Sequence, residues 1–163
     1  MKIKDRIKEL RRVKASELMP NPKNWRTHPA TQSSALKGML ADVGFADAVI
    51  ARETPDGLML IDGHLRTEVV ADDEIPVLVV DLTEEEADKV LATLDPLAAM
   101  AETDSDILSA LTIGLKFPNE YIEDMISGTI DLLPPPEPPE GFESFDDDME
   151  TQFKCPKCSY EWG

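Results

Sequence analysis

The residues of this chain whose types and spacing could do chemistry lie together at Ile61-Asp62-Gly63-His64-Leu65-Arg66-Thr67. A glycine lets the backbone approach a ligand, the first amides of a following helix have no partner inside it, and an arginine can fork onto two oxygens of an anion. Gly63, His64, Arg66 and Thr67 are accordingly read as a phosphate-binding turn. The same residues also fit an ordinary strand-to-helix turn, with Arg66 closed onto a carboxylate and His64 bonded to a backbone carbonyl. A catalytic version would use His64 as general acid or base, with Asp62 or Asp95 holding a divalent ion. Asp95 stands before Pro96, a pair that equally well ends a helix.

A scaffold has to hold these side chains. Ile3, Ile7 and Leu10 recur at spacings of four and three, which predicts a short amphipathic helix over 3–12 before an extended Val13-Lys14-Ala15. Pro20, Pro22 and Pro29 keep helix out of the next stretch, leaving a polar loop with Asn21, Asn24, Trp25, Arg26 and His28. From Thr31, the residues Leu36, Met39, Leu40 and Val43 mark one helical face, and Gly44 is a left-handed cap. Ala48–Ala51 and Leu58–Ile61 are apolar runs around a Pro55-Asp56-Gly57 turn, which predicts a strand pair.

After the central turn come a brief helix at Thr67–Ala71 and an unbroken apolar run, Ile75–Val80, the pattern of a strand covered on both faces. Thr83-Glu84-Glu85-Glu86 has the form of a capping box, so a helix should run from Glu84 to about Leu94 with Ala87, Val90, Leu91 and Leu94 inward. Two more helices are expected at Asp106–Leu115 and Asn119–Ser127, with Gly128 as the stop.

In this order, the Asn24-x-Arg26 loop, Gly44-Phe45, the strand pair, Asp62-Gly63-His64-Leu65-Arg66 and Ile75-Pro76-Val77 resemble the N-terminal domain of ParB proteins. This is the ParB and sulfiredoxin superfamily, and the likeness is to the branch found with phages and DNA methyltransferases. It covers a little over half of the chain. The resemblance implies a mixed-sheet α/β (α+β) domain that binds a nucleoside triphosphate, CTP in partition proteins or ATP in sulfiredoxins, with Mg²⁺. It also implies association with DNA, a methyltransferase or another phage protein, or a second copy.

On the resemblance, Gly63 and Arg66 match the ends of the family's Gly-Glu-Arg-Arg motif, with His64 and Leu65 between them. Asn24 and Arg26 match the loop against the same pocket, and Gly44 belongs to the element before the strand. Asp47-Ala48 departs from the polar-Pro pair of relatives, and Pro96 stands where they often carry an asparagine. A nuclease or nucleotide hydrolase is the catalytic alternative within the family, and an acidic adaptor with a vestigial pocket is the third reading. Sulfiredoxin chemistry is set aside, because it needs a nucleophilic cysteine beside the phosphate loop and both cysteines lie in the tail.

The charge of -17 is unevenly spread: residues 1–26 hold nine Lys or Arg against three acids, and the remainder seven against thirty. The body should repel DNA, so any contact with it falls to the arm of Lys2, Lys4, Arg6, Lys8, Arg11, Arg12 and Lys14. The alternative for this arm is to balance the protein's own acids. No apolar run is long enough to cross a bilayer and no signal peptide is evident, which gives a cytoplasmic reading.

Cys155-Pro156-Lys157-Cys158 has the spacing of one knuckle of a zinc ribbon, a half-site that a homodimer or a partner could complete, or that stays without metal. The expected organisation is therefore a basic helix at 1–12, a ParB-like domain at 13–104, a helical hairpin at 105–130, a Pro-rich acidic linker at 131–150 and the knuckle at 151–163.

Overall fold

Alternation of side chains along three strands decides which residues face which side of the sheet. In the computed structural model, which describes residues 3–131 and 153–162, strands β1 (Ile7–Lys14), β2 (Leu18–Met19), β3 (Val49–Thr54), β4 (Gly57–Asp62) and β5 (Glu74–Val80) form one mixed sheet in the order β1-β5-β3-β4-β2. β5 pairs antiparallel with β1 and parallel with β3, while β4 pairs antiparallel with β3 and parallel with β2. Val49, Ala51, Leu60, Ile75, Val77 and Val79 point to one face and form the main core with Val13, Ala15, Leu18 and Leu58. Ile50, Ile61 and Val80 point to the other and meet Ala87, Val90 and Leu91 of helix α3 (Glu84–Ala99). The strand period of two thus divides the apolar residues between two layers.

The remaining helices of this unit are α1 (Ala30–Asp42), α2 (His64–Val70), α4 (Ser105–Thr112) and α5 (Glu120–Asp131). The strand pair, the buried β5, the left-handed Gly44 after α1 and the Thr83–Glu86 capping box all agree with the sequence reading. The mixed α/β architecture does as well.

Several expectations are corrected. Residues 3–12 do not form a helix; most of them lie in β1, which covers the free edge of β5 from Ile7 to Lys14. A ten-residue helix is marginal alone, whereas an uncovered β5 would leave a row of backbone donors and acceptors unpaired. The price is that Ile7 and Leu10 stay exposed on the strand.

The helix after the central turn starts at His64 rather than Thr67, so His64, Leu65 and Arg66 form its first turn. α3 does not end near Leu94 but continues through Pro96 to Ala99, and Leu94 is exposed. α5 runs past Gly128; it packs on α4 and also on α1, within the same compact unit, Met1–Leu132.

Asn119 shows how α5 is attached. Its Nδ2 donates to the Ser34 carbonyl at 3.0 Å and its Oδ1 caps the Ile122 amide at 3.2 Å. A methyl group on Gly38 of α1 would lie 2.0 Å from that Nδ2, so the glycine leaves the space in which Asn119 docks.

Glu86 makes a second tie. It closes the capping box with Thr83 and accepts both ends of the Arg6 guanidinium at 2.7 and 2.8 Å. The Arg6 bond, followed by the Thr83 amide, draws its carboxyl down to about 2.

The second unit, Leu133–Gly163, is described from 153 to 162. It contains a two-stranded antiparallel hairpin, β6 (Phe153–Lys154) and β7 (Glu161–Trp162), with Cys155 and Cys158 in its turn. From residue 132 on, the proline-rich acidic stretch expected as a linker lies outside the described residues. Among the described residues, no helix is long and apolar enough to cross a membrane.

Candidate functional site

Gly63 is placed by packing before any ligand is considered. It joins β4 to α2 with φ at +91°, and a Cβ there would lie 2.4 Å from Val49 Cγ1 and 3.2 Å from Arg66 Nη1. Only glycine fits, and the group that excludes a side chain is Val49 of β3. The sequence reading gave this glycine to ligand approach; its first task is to let α2 lie close against the sheet.

That junction forms the floor of a cavity of about 350 Å³. Asp62, Gly63, His64, Leu65 and Arg66 line it from below, Asn24, Arg26 and His28 from the loop before α1, and Asp95 from α3. α1 and α5 supply apolar wall, including Leu36, Met39, Ile122 and Met125. Residues far apart in sequence, Asn24, Arg26, Asp62, Gly63, His64, Arg66 and Asp95, are therefore brought together. Two expected residues are not. Gly44 caps α1, with nothing within 4 Å of where its Cβ would be, and Thr67 uses its hydroxyl on the His64 carbonyl at 2.7 Å; neither lines the cavity.

The two arginines are already engaged. Arg66 Nη2 lies 2.9 Å from Asp47 Oδ2, Nη1 lies 3.5 Å from Asp62 Oδ2, and Nη1 also donates to the Ala48 carbonyl at 3.4 Å. Arg26 pairs with Asp95 and lies 5.5 Å from the centre of the Trp25 ring, in cation–π range. Trp25 donates its Nε1–H to the Leu91 carbonyl at 3.2 Å, fixing the loop to α3. Asn24 accepts the Arg26 amide at 3.3 Å and so shapes the loop that presents the arginine. Arg26 and Asp95 also border a second hollow with Trp25, Thr27, Pro96 and Ala99, which is where Pro96 faces.

His64 is buried, and its Nε2 accepts the Asn21 amide at 3.2 Å. That bond is the reverse of the expected one, in which the ring donates to a carbonyl. It requires an unprotonated Nε2 and leaves the ring proton on Nδ1. Burial, chiefly, pushes the imidazole below its ordinary range, against the pull of Asp62 and Glu68. The ring is thus a neutral donor through Nδ1, and its basic nitrogen is occupied. This arrangement suits ligand binding better than proton abstraction.

Asp62 and Asp95, the expected metal-facing oxygens, each neighbour an arginine. Among the described residues no group of three or more His, Cys, Asp or Glu is positioned to hold a metal ion. Two arginines and two aspartates line the cavity, so the guanidinium and carboxylate charges around it balance.

The basic arm is largely spent on internal pairs. Arg6 binds Glu86, Lys8 binds Glu53, and Arg11 binds Glu9 and Glu53. Only Lys4, Arg12 and Lys14 of the described arm residues have no carboxylate partner among the described residues. Of the two roles open to this arm, the pairs favour balancing the protein's own acids.

The sequence reading missed the contribution of α5 and the engagement of Arg66 by Asp47. The apolar residues Tyr121, Ile122, Met125 and Ile126 were the available sequence sign that α5 has a face to dock, and Ile122 is 2% exposed.

No family model and no curated protein matches the sequence. Among solved structures, the C-terminally truncated chromosome-partitioning protein ParB from Caulobacter crescentus, complexed with CTP-gamma-S, superposes with a TM-score of 0.54 and 16% identity, covering 75% of this chain and 71% of that one. The same truncated protein complexed to the centromeric parS site gives a TM-score of 0.44 at 16% identity over 74% and 64% of the two chains. Sulfiredoxin from Arabidopsis thaliana gives 0.43 at 13% identity over 51% and 97%. The chain has a ParB-like fold, and that is what the first superposition establishes.

Proposed function

We propose that this chain is a ParB-like nucleotide-binding module, in which the polyphosphate of a CTP- or ATP-like nucleotide displaces carboxylates from the two cavity arginines. One observation carries the reading: Arg26, from the loop before α1, and Arg66, from the first turn of α2, line the same cavity. Its volume of about 350 Å³ is of the size that holds a small ligand. A phosphate can displace a half-exposed carboxylate from a guanidinium fork, because it carries more charge and any two of its tetrahedral oxygens can accept the paired N–H bonds. His64 adds a neutral donor through Nδ1, and the apolar wall of α1 and α5 suits a base or sugar.

Charge balance implies a counter-ion. A triphosphate brings several negative charges to a cavity whose own charges cancel, next to Asp62 and Asp95. These two carboxylates are the oxygen donors that fit Mg²⁺, which commonly binds one or two carboxylates together with substrate phosphates. When bound, Mg²⁺ would neutralise the phosphates; the chain's own residues bind and orient them. On this reading ligand state changes affinity for a second copy, for DNA or for a protein partner. The Asp-Gly-His-Leu-Arg sequence supports a phage or methyltransferase-associated setting.

A second reading is favoured by the arginine–aspartate pairs themselves. If Asp47, Asp62 and Asp95 hold both guanidinia permanently, the cavity is vestigial and the chain is an acidic adaptor, with a DNA methyltransferase or another phage protein as its partner. Hydrolysis or DNA nicking is the weaker catalytic alternative. It would fall to Asp62 with a divalent ion, since the basic nitrogen of His64 is engaged. Binding of labelled CTP, ATP and duplex DNA to wild type and Arg66→Ala, with phosphate release measured alongside, separates the three. Arg66-dependent binding without turnover supports the module, metal-dependent turnover supports an enzyme, and no binding at millimolar nucleotide supports the adaptor.

A further inference from the structure

The geometry of the sheet edge points to a docking strand: we propose that the outer edge of β1 takes an extended acidic segment of a partner protein as an added strand. The inference is independent of the nucleotide reading, because β1 contributes no residue to the cavity.

β1 is the end strand of the order β1-β5-β3-β4-β2, and among the described residues no further strand lies outside it. In an edge strand the backbone N–H and C=O groups of alternate residues point away from the sheet, where only water or an added chain can pair with them. β1 has eight residues and no proline, and its one irregularity falls between Ile7 and Glu9, so Glu9 to Lys14 is a regular template. The other end of the sheet offers much less, since β2 has only Leu18 and Met19.

The register with β5 sorts the side chains of this edge. Glu9, Arg11 and Val13 stand opposite Val79, Val77 and Ile75, on the side of the main core, and there Arg11 is spent on Glu9 and Glu53. Leu10, Arg12 and Lys14 stand opposite Leu78, Pro76 and Glu74, on the other side. Leu10 is 61% exposed, and neither Arg12 nor Lys14 forms an ion pair among the described residues, not even Lys14 with Glu74. β1 thus presents one apolar side chain and two unpaired cations at alternate positions. Cross-strand neighbours of opposite charge, or both apolar, are the pairs that stabilise a sheet, so the complement is a strand with one apolar residue and two acids at the same spacing.

Charge also decides between occupants. A second copy added antiparallel about a two-fold axis sets Arg11 or Arg12 against itself when the register is centred there, and Lys8 against Arg12 when it is centred on Leu10. Like charges directly opposite oppose the pairing. Nucleic acid could use Arg12 and Lys14 but not the row of backbone donors and acceptors, and a long polyanion is repelled by a chain of net charge -17. A short acidic strand meets the two free cations and the backbone edge together, the mode in which main-chain bonds give affinity and side chains give selectivity.

The test uses the full chain and a labelled synthetic peptide that alternates valine with glutamate. The expected results are saturable binding that salt weakens, slowed exchange of alternate amides in β1, and a loss of about tenfold in affinity in the double variant Arg12→Ser, Lys14→Ser. Both side chains are exposed and unpaired, so that variant should melt as wild type does. A peptide of the same sequence with alternate amides N-methylated along one edge keeps its charge but cannot pair, and it should not bind. Equal binding of the methylated peptide, equal binding of a valine–lysine peptide, unchanged β1 exchange, or no binding at all would each overturn the proposal. So would tighter binding of duplex DNA that depends on Arg12 and Lys14, or a dimer in which the β1 amides are protected before any peptide is added.

Discussion

Arg66 lines the cavity, yet its Nη2 is held at 2.9 Å by Asp47, a residue outside the cavity lining on the loop between α1 and β3. An incoming phosphate must therefore compete with a carboxylate of the same chain for the same fork. Asp47 is 60% exposed in its side chain, so its grip is of the weak, solvent-screened kind, worth about 0–1 kcal/mol. On the proposed reading, Asp47→Asn should tighten nucleotide binding by roughly two- to fivefold. Calorimetric titration of both proteins with CTP checks this, and weaker binding by Asp47→Asn would show that the carboxylate helps the ligand.

Gly63→Ala should damage the fold before it damages any ligand contact. The added methyl group meets Val49 Cγ1 at 2.4 Å in a backbone conformation, φ +91°, that L-residues avoid. Strain and overpacking together predict a loss of about 2–4 kcal/mol. Urea unfolding measures it, and a loss below about 0.5 kcal/mol would mean that α2 does not rest on Val49 as described.

His64 makes stability depend on pH. Its folded pKa lies below the ordinary 6.5, mainly through burial, so the unfolded chain takes up a proton first as pH falls. The contribution is complete above 6.5 and is lost as pH drops from 6.5 through the folded value. Protonation also breaks the acceptor bond to the Asn21 amide. Unfolding free energies measured across this range should fall more steeply for wild type than for His64→Gln. Parallel curves would assign the pH dependence to other groups.

Gly38→Ala separates helix stability from cavity closure. The methyl group would improve the propensity of α1 by about 0.5–1 kcal/mol while displacing the Asn119 amide from the Ser34 carbonyl. Global unfolding should therefore change by less than about 1 kcal/mol. Amide exchange in α5 should accelerate, and unchanged protection of α5 would show that another contact anchors it.

The pattern of agreement follows from how local each signal is. The β3–β4 pair, β5 and the start of α3 were legible because alternation, an apolar run and a capping box act within a few residues. β1 was not, because its residues fit a helical stripe and the deciding influence is the bare edge of β5, a partner more than sixty residues away in sequence. α3 was read as ending at Asp95-Pro96, although the helix passes through the proline.

At the site, the clustering of Asn24, Arg26, Gly63, His64 and Arg66 was legible through the ordered motifs. What each does there was less so. The carboxylates that hold the arginines, and the Asn119 latch that brings α5 over the cavity, depend on side-chain meetings that no local pattern encodes. Gly44, included on the family resemblance, and Thr67, included with the Gly63–Arg66 turn, both serve the backbone: Gly44 caps α1, and the Thr67 hydroxyl donates to the His64 carbonyl.

The most direct test of the account is an equilibrium titration of Mg²⁺-CTP and Mg²⁺-ATP into wild type, Arg26→Ala and Arg66→Ala under identical salt. The account predicts saturable one-site binding of at least one nucleotide to wild type, weakened about tenfold or more in each variant, as expected for loss of a charged hydrogen-bonding partner. Equal affinities in all three proteins, or no binding by wild type at millimolar nucleotide, would contradict it.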